Sequence, residues 1–192
     1  PFTFPQRYTT WAALATALNL GKWKLQADVL GTFVIEKVRN NVEAPDKSEF
    51  SPALIVGYKP FSNQDLNLRA FYKRIFRLPT FNDLYYAQIG FSQLNPEFTN
   101  QFNIGGSYQK TFKTGMIDRI ALQMDVYYAA ITDKIIAAPT GSSFRWMMTN
   151  MGKVESKGVD VSTAVSGHVG LLKLHTNLAY SFTKAQDFTK IN

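Results

Sequence analysis

Histidine, serine, arginine and carboxylate side chains are the groups that could do chemistry here, and their spacing argues against catalysis. The chain has 2 histidines, His168 and His175, and no cysteine. His168 is expected in a tight turn spanning 166–170, and His175 on the polar face of a strand. No acidic cluster lies near either in sequence, so no zinc-ligand spacing results. The absence of cysteine removes thiol nucleophiles, disulfides and zinc fingers together. Gly141-Ser142-Ser143 is expected in a loop, without the strand–turn–helix context of a nucleophile elbow. Gly105-Gly106 falls inside a strand and marks a bend or a close backbone approach rather than a phosphate cradle. No enzymatic activity, cofactor or metal site is expected.

Lys and Arg outnumber Asp and Glu by 21 to 14, a formal charge of +7. Such a balance suits nucleic acid only where the charge is clustered. Here it is spread along the chain, with the closest grouping at Arg69, Lys73, Arg74 and Arg77. The aromatic residues fall mainly on apolar faces rather than among the basic ones, so nucleic-acid binding is not expected. Asp28 and Asp125, each among neutral or basic neighbours, are expected to join a polar hydrogen-bond network.

The elements that must position these residues show a period of two. Over 120–130, Ile120, Leu122, Met124, Val126 and Tyr128 share one face, and Arg119, Ala121, Gln123, Asp125 and Tyr127 share the other. This is the signature of a strand with one apolar and one polar surface. The same split recurs over 173–182, 101–112 and 23–35, and more weakly over 10–20, 50–59, 66–76 and 157–166. The stretch 11–18 has helical propensity, but it feeds a tight Asn19-Leu20-Gly21-Lys22 turn and is read as a strand. The fold class is all-β, an antiparallel up-and-down meander of about eight strands with no helix expected.

Short polar turns (20–22, 61–65, 113–116 and 166–170) alternate with longer connections at 38–48, 77–97 and 133–150. All long connections then fall at one end of the sheet, as in transmembrane β-barrels. Tyr58, Phe76, Tyr108, Phe112, Tyr128, Tyr180 and Phe182 lie near strand ends, where an interfacial girdle would place them. No apolar run approaches the ~18 residues of a spanning helix. Pattern alone also permits a soluble antiparallel β-sheet or β-sandwich binding module, or a complete small eight-stranded barrel.

Three motifs add a family resemblance. The stretch Leu66-Asn67-Leu68-Arg69-Ala70-Phe71-Tyr72-Lys73-Arg74-Ile75-Phe76-Arg77-Leu78-Pro79-Thr80-Phe81-Asn82-Asp83-Leu84-Tyr85 resembles a barrel strand and loop of TonB-dependent outer-membrane receptors, with Leu94-Asn95-Pro96-Glu97 as a shortened proline-acidic element. Asp125-Val126-Tyr127-Tyr128-Ala129-Ala130-Ile131-Thr132-Asp133-Lys134-Ile135 and Asn150-Met151-Gly152-Lys153-Val154-Glu155-Ser156-Lys157-Gly158-Val159-Asp160 resemble later segments of the same family, in the expected order. The resemblance implies a piece of a barrel of ~22 strands around a plugged lumen. Residues 1–192 are therefore read as a partial barrel domain from the later half, a fragment without plug domain or TonB box.

The resemblance also implies function. The parent protein is expected in the outer membrane of a Gram-negative bacterium, importing a scarce small ligand such as an iron chelate, cobalamin or glycan. Its expected partners are outer-membrane lipid and the TonB complex, reached through the missing plug and TonB box. Pro79 ends a strand by fixing its own φ and disfavouring helical geometry at Leu78. Arg74 and Arg77 bracket Phe76 and could bond loop carbonyls or a carboxylate such as Asp83, holding the loop itself. Phe81, Tyr85, Tyr86 and Phe91 read as a loop mini-core. If this segment captures ligand, Arg77, Asn82, Asp83, Tyr85 and Tyr86 are the first candidates, with Arg145 and Trp146 second.

Overall fold

A computed structural model of the chain describes residues 3–139 and 145–189. Within it, β1 (Gln6–Leu20), β2 (Trp23–Lys37), β3 (Lys47–Tyr58), β4 (Asp65–Arg77), β5 (Glu97–Thr111), β6 (Ile117–Pro139), β7 (Trp146–Val169) and β8 (Leu172–Asp187) form one 8-stranded sheet. Each strand pairs antiparallel with its neighbours in sequence, and β1 and β8 are its two edges. The expected meander is correct. The stretch with helical propensity is strand β1, because its backbone groups ladder fully onto β2 from Gln6↔Lys37 to Leu20↔Trp23.

Register carries the alternation across the sheet. Opposed residues share a face, so the row Tyr108–Leu122–Thr163–Leu178 lies on one surface and Gln109–Ala121–Ala164–Asn177 on the other. The apolar surface stays exposed: Leu178 is 69% and Met124 47% accessible. A sandwich would have covered these side chains with a second sheet, and among the described residues there is none. A small closed barrel would have paired β1 with β8, which the sheet order does not do. Aromatic pairs mark both borders of the apolar band, Trp23 stacked on Tyr58 at 4.3 Å near the short turns and Tyr72 against Phe102 at 4.9 Å nearer the long connections.

The inward face is organised around Asp125. Arg69 donates to both of its oxygens, from Nη2 at 2.8 and 2.6 Å and from Nε at 3.2 Å, and Gln123 Nε2 adds a bond of 2.9 Å. The residue opposite Asp125 on β5 is Gly105, where a Cβ would stand 2.1 Å from Asp125 Oδ1. The expected close approach at this glycine is therefore to a carboxylate. Gly158 serves similarly: Tyr127 lies across it, and its hydroxyl pairs with Thr183 Oγ1 on β8 at 2.5 Å. Asp28 accepts a single bond, from Gln26 Nε2 at 2.8 Å, and its buried Oδ1 has no partner, so of the two aspartates Asp125 is the one that joins a network.

Three expectations need correction. The connection at 133–150 is mostly strand: β6 and β7 run on as a paired ribbon to Pro139↔Trp146. An irregular register between Ile131 and Lys134, with Asp133 at φ 54, shifts the side-chain parity there and hides the strand from a two-residue pattern. The expected loop Gly141-Ser142-Ser143 lies outside the described residues. His168 is not in a turn but in β7, opposite Lys173, because its N–H bonds Met116 O at 2.9 Å and its ring meets Asp118 at 2.8 Å. The turn itself is Gly170-Leu171, with Gly170 at φ 60. Finally, a helix is present, α1 (Phe81–Tyr85).

Candidate functional site in the long-loop cap

The chain from Arg77 to Glu97 cannot continue as strand past Pro79, so it must satisfy its backbone groups locally. Thr80 does this by capping α1. Its Oγ1 accepts from Asp83 N at 3.2 Å, and its own N–H donates to Asp83 Oδ2 at 2.8 Å, a reciprocal capping box. The helix has only 5 residues, so what holds it is tertiary contact.

Those contacts come from each neighbouring connection. Tyr85 Oη accepts from Ala44 N at 3.1 Å in the 38–46 segment. Arg7 on β1 donates from Nε to Glu36 at 2.5 Å and from Nη2 to Pro79 O at 2.8 Å, with its guanidinium 5.0 Å over the Phe81 ring. Glu97 joins Arg77 in a two-bond fork of 2.8 and 2.9 Å and accepts from Ile135 N at 2.7 Å. Asn150 accepts from Asn95 N at 2.7 Å and donates to Asn95 O at 2.9 Å and Asp133 O at 2.7 Å. Between these bonds lies a small apolar core of Ala44, Leu84, Tyr85, Leu94 and Ile135, with Val38 and Met148 against it.

This core corrects the expected aromatic mini-core. Of Phe81, Tyr85, Tyr86 and Phe91, Tyr85 alone is buried, because a five-residue helix can turn only one side to its support. Burial holds the Tyr85 hydroxyl above its ordinary pKa. Tyr85→Phe leaves Ala44 N–H without its partner and should cost about 1 kcal/mol of cap stability, read as faster amide exchange at Ala44 with the barrel's thermal transition unmoved.

The expected ligand residues thus divide. Asp83 and Tyr85 are structural and buried, and Arg77 is tied to Glu97 with Asp83 Oδ2 3.9 Å away. Arg74 turns outward over Phe98 at 4.5 Å. Asn82, Phe81 and Tyr86 remain exposed and, with Thr3, Pro5, Tyr85 and Ala87, line a hollow of about 560 Å³. Tyr86 is 56% accessible. Arg145 and Trp146 are exposed at the outer end of the β6–β7 ribbon, Trp146 opposite Pro139, and do not line this hollow. Arg7, Glu36, Ala44, Asn95, Glu97 and Asn150 were not singled out by their own chemistry; Asn95, Glu97 and Asn150 fall in the quoted motifs, which was the available signal. Two aromatic rings with one primary amide can stack on and hydrogen-bond a flat, heteroatom-bearing ligand. Among the described residues no group of His, Asp and Glu could hold a metal ion.

An antiparallel meander that is apolar outside and polar inside, with its long connections gathered into a cap at one end, is the wall of a transmembrane β-barrel. The chain belongs to the TonB-dependent receptor β-barrel family: the family description "TonB dependent receptor-like, beta-barrel" matches residues 1–192. Over 86 residues it is 29% identical to the vitamin B12 transporter BtuB of Vibrio vulnificus, covering 45% of this chain and 13% of that protein. The FrpB iron transporter from Neisseria meningitidis superposes with a TM-score of 0.66 at 18% identity, covering 97% of this chain and 27% of that one. The copper transporter OprC gives 0.66 at 16% identity, covering 94% and 29%. These relatives are transporters, not enzymes, and the chain spans less than a third of the length of each.

Proposed function

We propose that this chain supplies wall and capture loops to a receptor in the outer membrane of a Gram-negative bacterium, one that imports a scarce small ligand such as an iron chelate or cobalamin, or else a glycan. The observation that carries this reading is the cap, in which interlocked connections fix α1 so that Phe81, Asn82 and Tyr86 face solvent above the barrel mouth. The names of the relatives, iron, copper and vitamin B12 transporters, favour a metal-containing ligand. In this reading residues 1–192 form part of a larger barrel, and the energy for release comes from the TonB complex through a plug domain that the described residues do not contain.

A rigid cap loses little conformational entropy on binding, which favours affinity from few contacts. Asn82→Ala combined with Tyr86→Ala should weaken ligand binding about tenfold, or 1.4 kcal/mol. Quenching of intrinsic fluorescence by a ferric siderophore, a cupric chelate, cobalamin and a panel of oligosaccharides would measure it. Unchanged affinity in the double variant for every probe that binds, or binding of no probe by the unaltered protein, would overturn the proposal.

A further inference from the structure

We propose that the outward face of β7 and β8 carries a site for the phosphorylated headgroup of an outer-leaflet lipid, built on Lys157 and Lys184. The proposal rests on the outer-membrane reading above. The register sets Lys157 directly opposite Lys184. Side chains so opposed have Cβ atoms about 4.5–5.5 Å apart, where like charges repel. Both lysines are exposed.

Their height on the wall is what makes the pair informative. Along β8 the outward residues are Leu172, Leu174, Thr176, Leu178, Tyr180 and Phe182, followed by Lys184. The stretch 172–182 has the ~9–11 residues that a tilted strand needs to cross the hydrocarbon, so Lys184 stands at its border on the long-connection side. The same ladder row reads Tyr72, Phe102, Tyr128, Lys157, Lys184 across β4 to β8. Such rows climb across a tilted sheet, since Trp23 and Tyr58 near the short turns share a row with Tyr180, so the two ammonium groups stand above the aromatic border that Tyr72 and Phe102 mark. Lysines at that level reach toward the headgroups along their own stems.

Among the described residues the nearest carboxylate on the same surface is Glu155, two residues from Lys157, and it is already engaged by Lys153 and by the Tyr128 hydroxyl. Glu155 pairs with Lys153 at 3.3 Å; Asp160 faces the lumen, where Ser181 bonds it; and Asp187, opposite Val154, accepts from Thr189 N at 2.8 Å. A phosphate bridging both ammonium groups would turn the cross-strand repulsion into two charge-assisted hydrogen bonds. Tyr128, Tyr180 and Phe182 beside it offer ring faces to the first segment of an acyl chain.

The experiment uses the full protein inserted into vesicles, with insertion read from heat-modifiable gel mobility, then extracted and weighed by native mass spectrometry with added lipid. Diphosphorylated lipid A should be retained in preference to phosphatidylethanolamine, and millimolar inorganic phosphate should not displace it. Retention should fall about fivefold for each lysine removed in K157Q and K184Q. It should be unchanged in K110Q, whose lysine faces outward near the short turns. Unchanged retention in the double variant, an equal loss in K110Q, equal retention of phosphatidylethanolamine, or displacement by inorganic phosphate overturns the lysine site while leaving the membrane reading intact. Failure of the unaltered protein to insert overturns both.

Discussion

Leu94→Ala should open the cap while leaving the wall in place. Leu94 is 1% accessible, the most deeply covered large side chain described, and it fills the space between Ala44, Leu84, Tyr85 and Ile135. Ala44 comes from the 38–46 connection, Leu84 and Tyr85 from α1 and Ile135 from the extension of β6, so the side chain stands where the cap's segments meet. Truncating a buried leucine costs about 2–5 kcal/mol, through lost transfer energy and the cavity that remains. The bonds around it, Asn150 with Asn95 and Glu97 with Ile135, are short and partly exposed, and cannot by themselves hold a five-residue helix. The cost therefore falls on cap opening rather than on the strand ladders. Backbone amides of Leu84 and Phe91, which donate to Thr80 O and Asp83 O, should exchange at least about thirtyfold faster. Ligand affinity should drop with them while barrel melting stays fixed. Unchanged protection at Leu84 would show that the cap does not depend on this core.

How far the fold could be read from residues depended on whether a segment obeys one period. β6 from Ile120 to Tyr128 was legible because each side chain's polarity reports its surface, lipid or lumen. Past Ile131 the register slips, Asp133 takes φ 54, and the polarity no longer alternates although the strand continues. α1 was hidden for a different reason: one helical turn is too short to show a 3.6-residue period, and only Thr80 and Asp83, three apart, mark it. At the site, Asn82 and Tyr86 were placed among the candidates by type and neighbourhood, and the structure leaves both exposed at the hollow. What could not be read was the lock. Arg7 reaches Pro79 across 72 residues and Tyr85 meets Ala44 across 41, and no local pattern encodes a contact at that separation.

The polar inward face sharpens what the sequence could and could not express. Gly105 signals that a backbone must come close to something, and Asp125 that a charge must be paired, but the two are one device. Omitting a side chain from β5 lets a carboxylate lie flat on the wall, where Arg69 from β4 reaches it. A barrel wall has no central core to hold its polar residues, so it orders them by such cross-strand pairings. The same logic runs through Tyr127 on β6, Gly158 on β7 and Thr183 on β8.

Met124→Arg tests the other surface. Met124 is the middle residue of the outward series Ile120, Leu122, Met124, Val126, Tyr128, between Gly106 on β5 and Val161 on β7. That places it near the centre of the apolar band. An arginine there must remove its charge from hydrocarbon or drag water and headgroups inward, at a cost of about 2–4 kcal/mol near the midplane. Neither flanking residue offers relief, since Gly106 has no side chain and Val161 no acceptor. Gln123→Arg, one residue away, points into the lumen beside Asp125 and should be tolerated, because parity moves it to the polar face. The comparison isolates orientation from position and from arginine itself. Folding into vesicles titrated against urea would measure both, with Met124→Arg losing 2–4 kcal/mol and Gln123→Arg less than about 1. Equal losses would mean that the two faces are not lipid and lumen, and the assignment of this wall would fail at its centre.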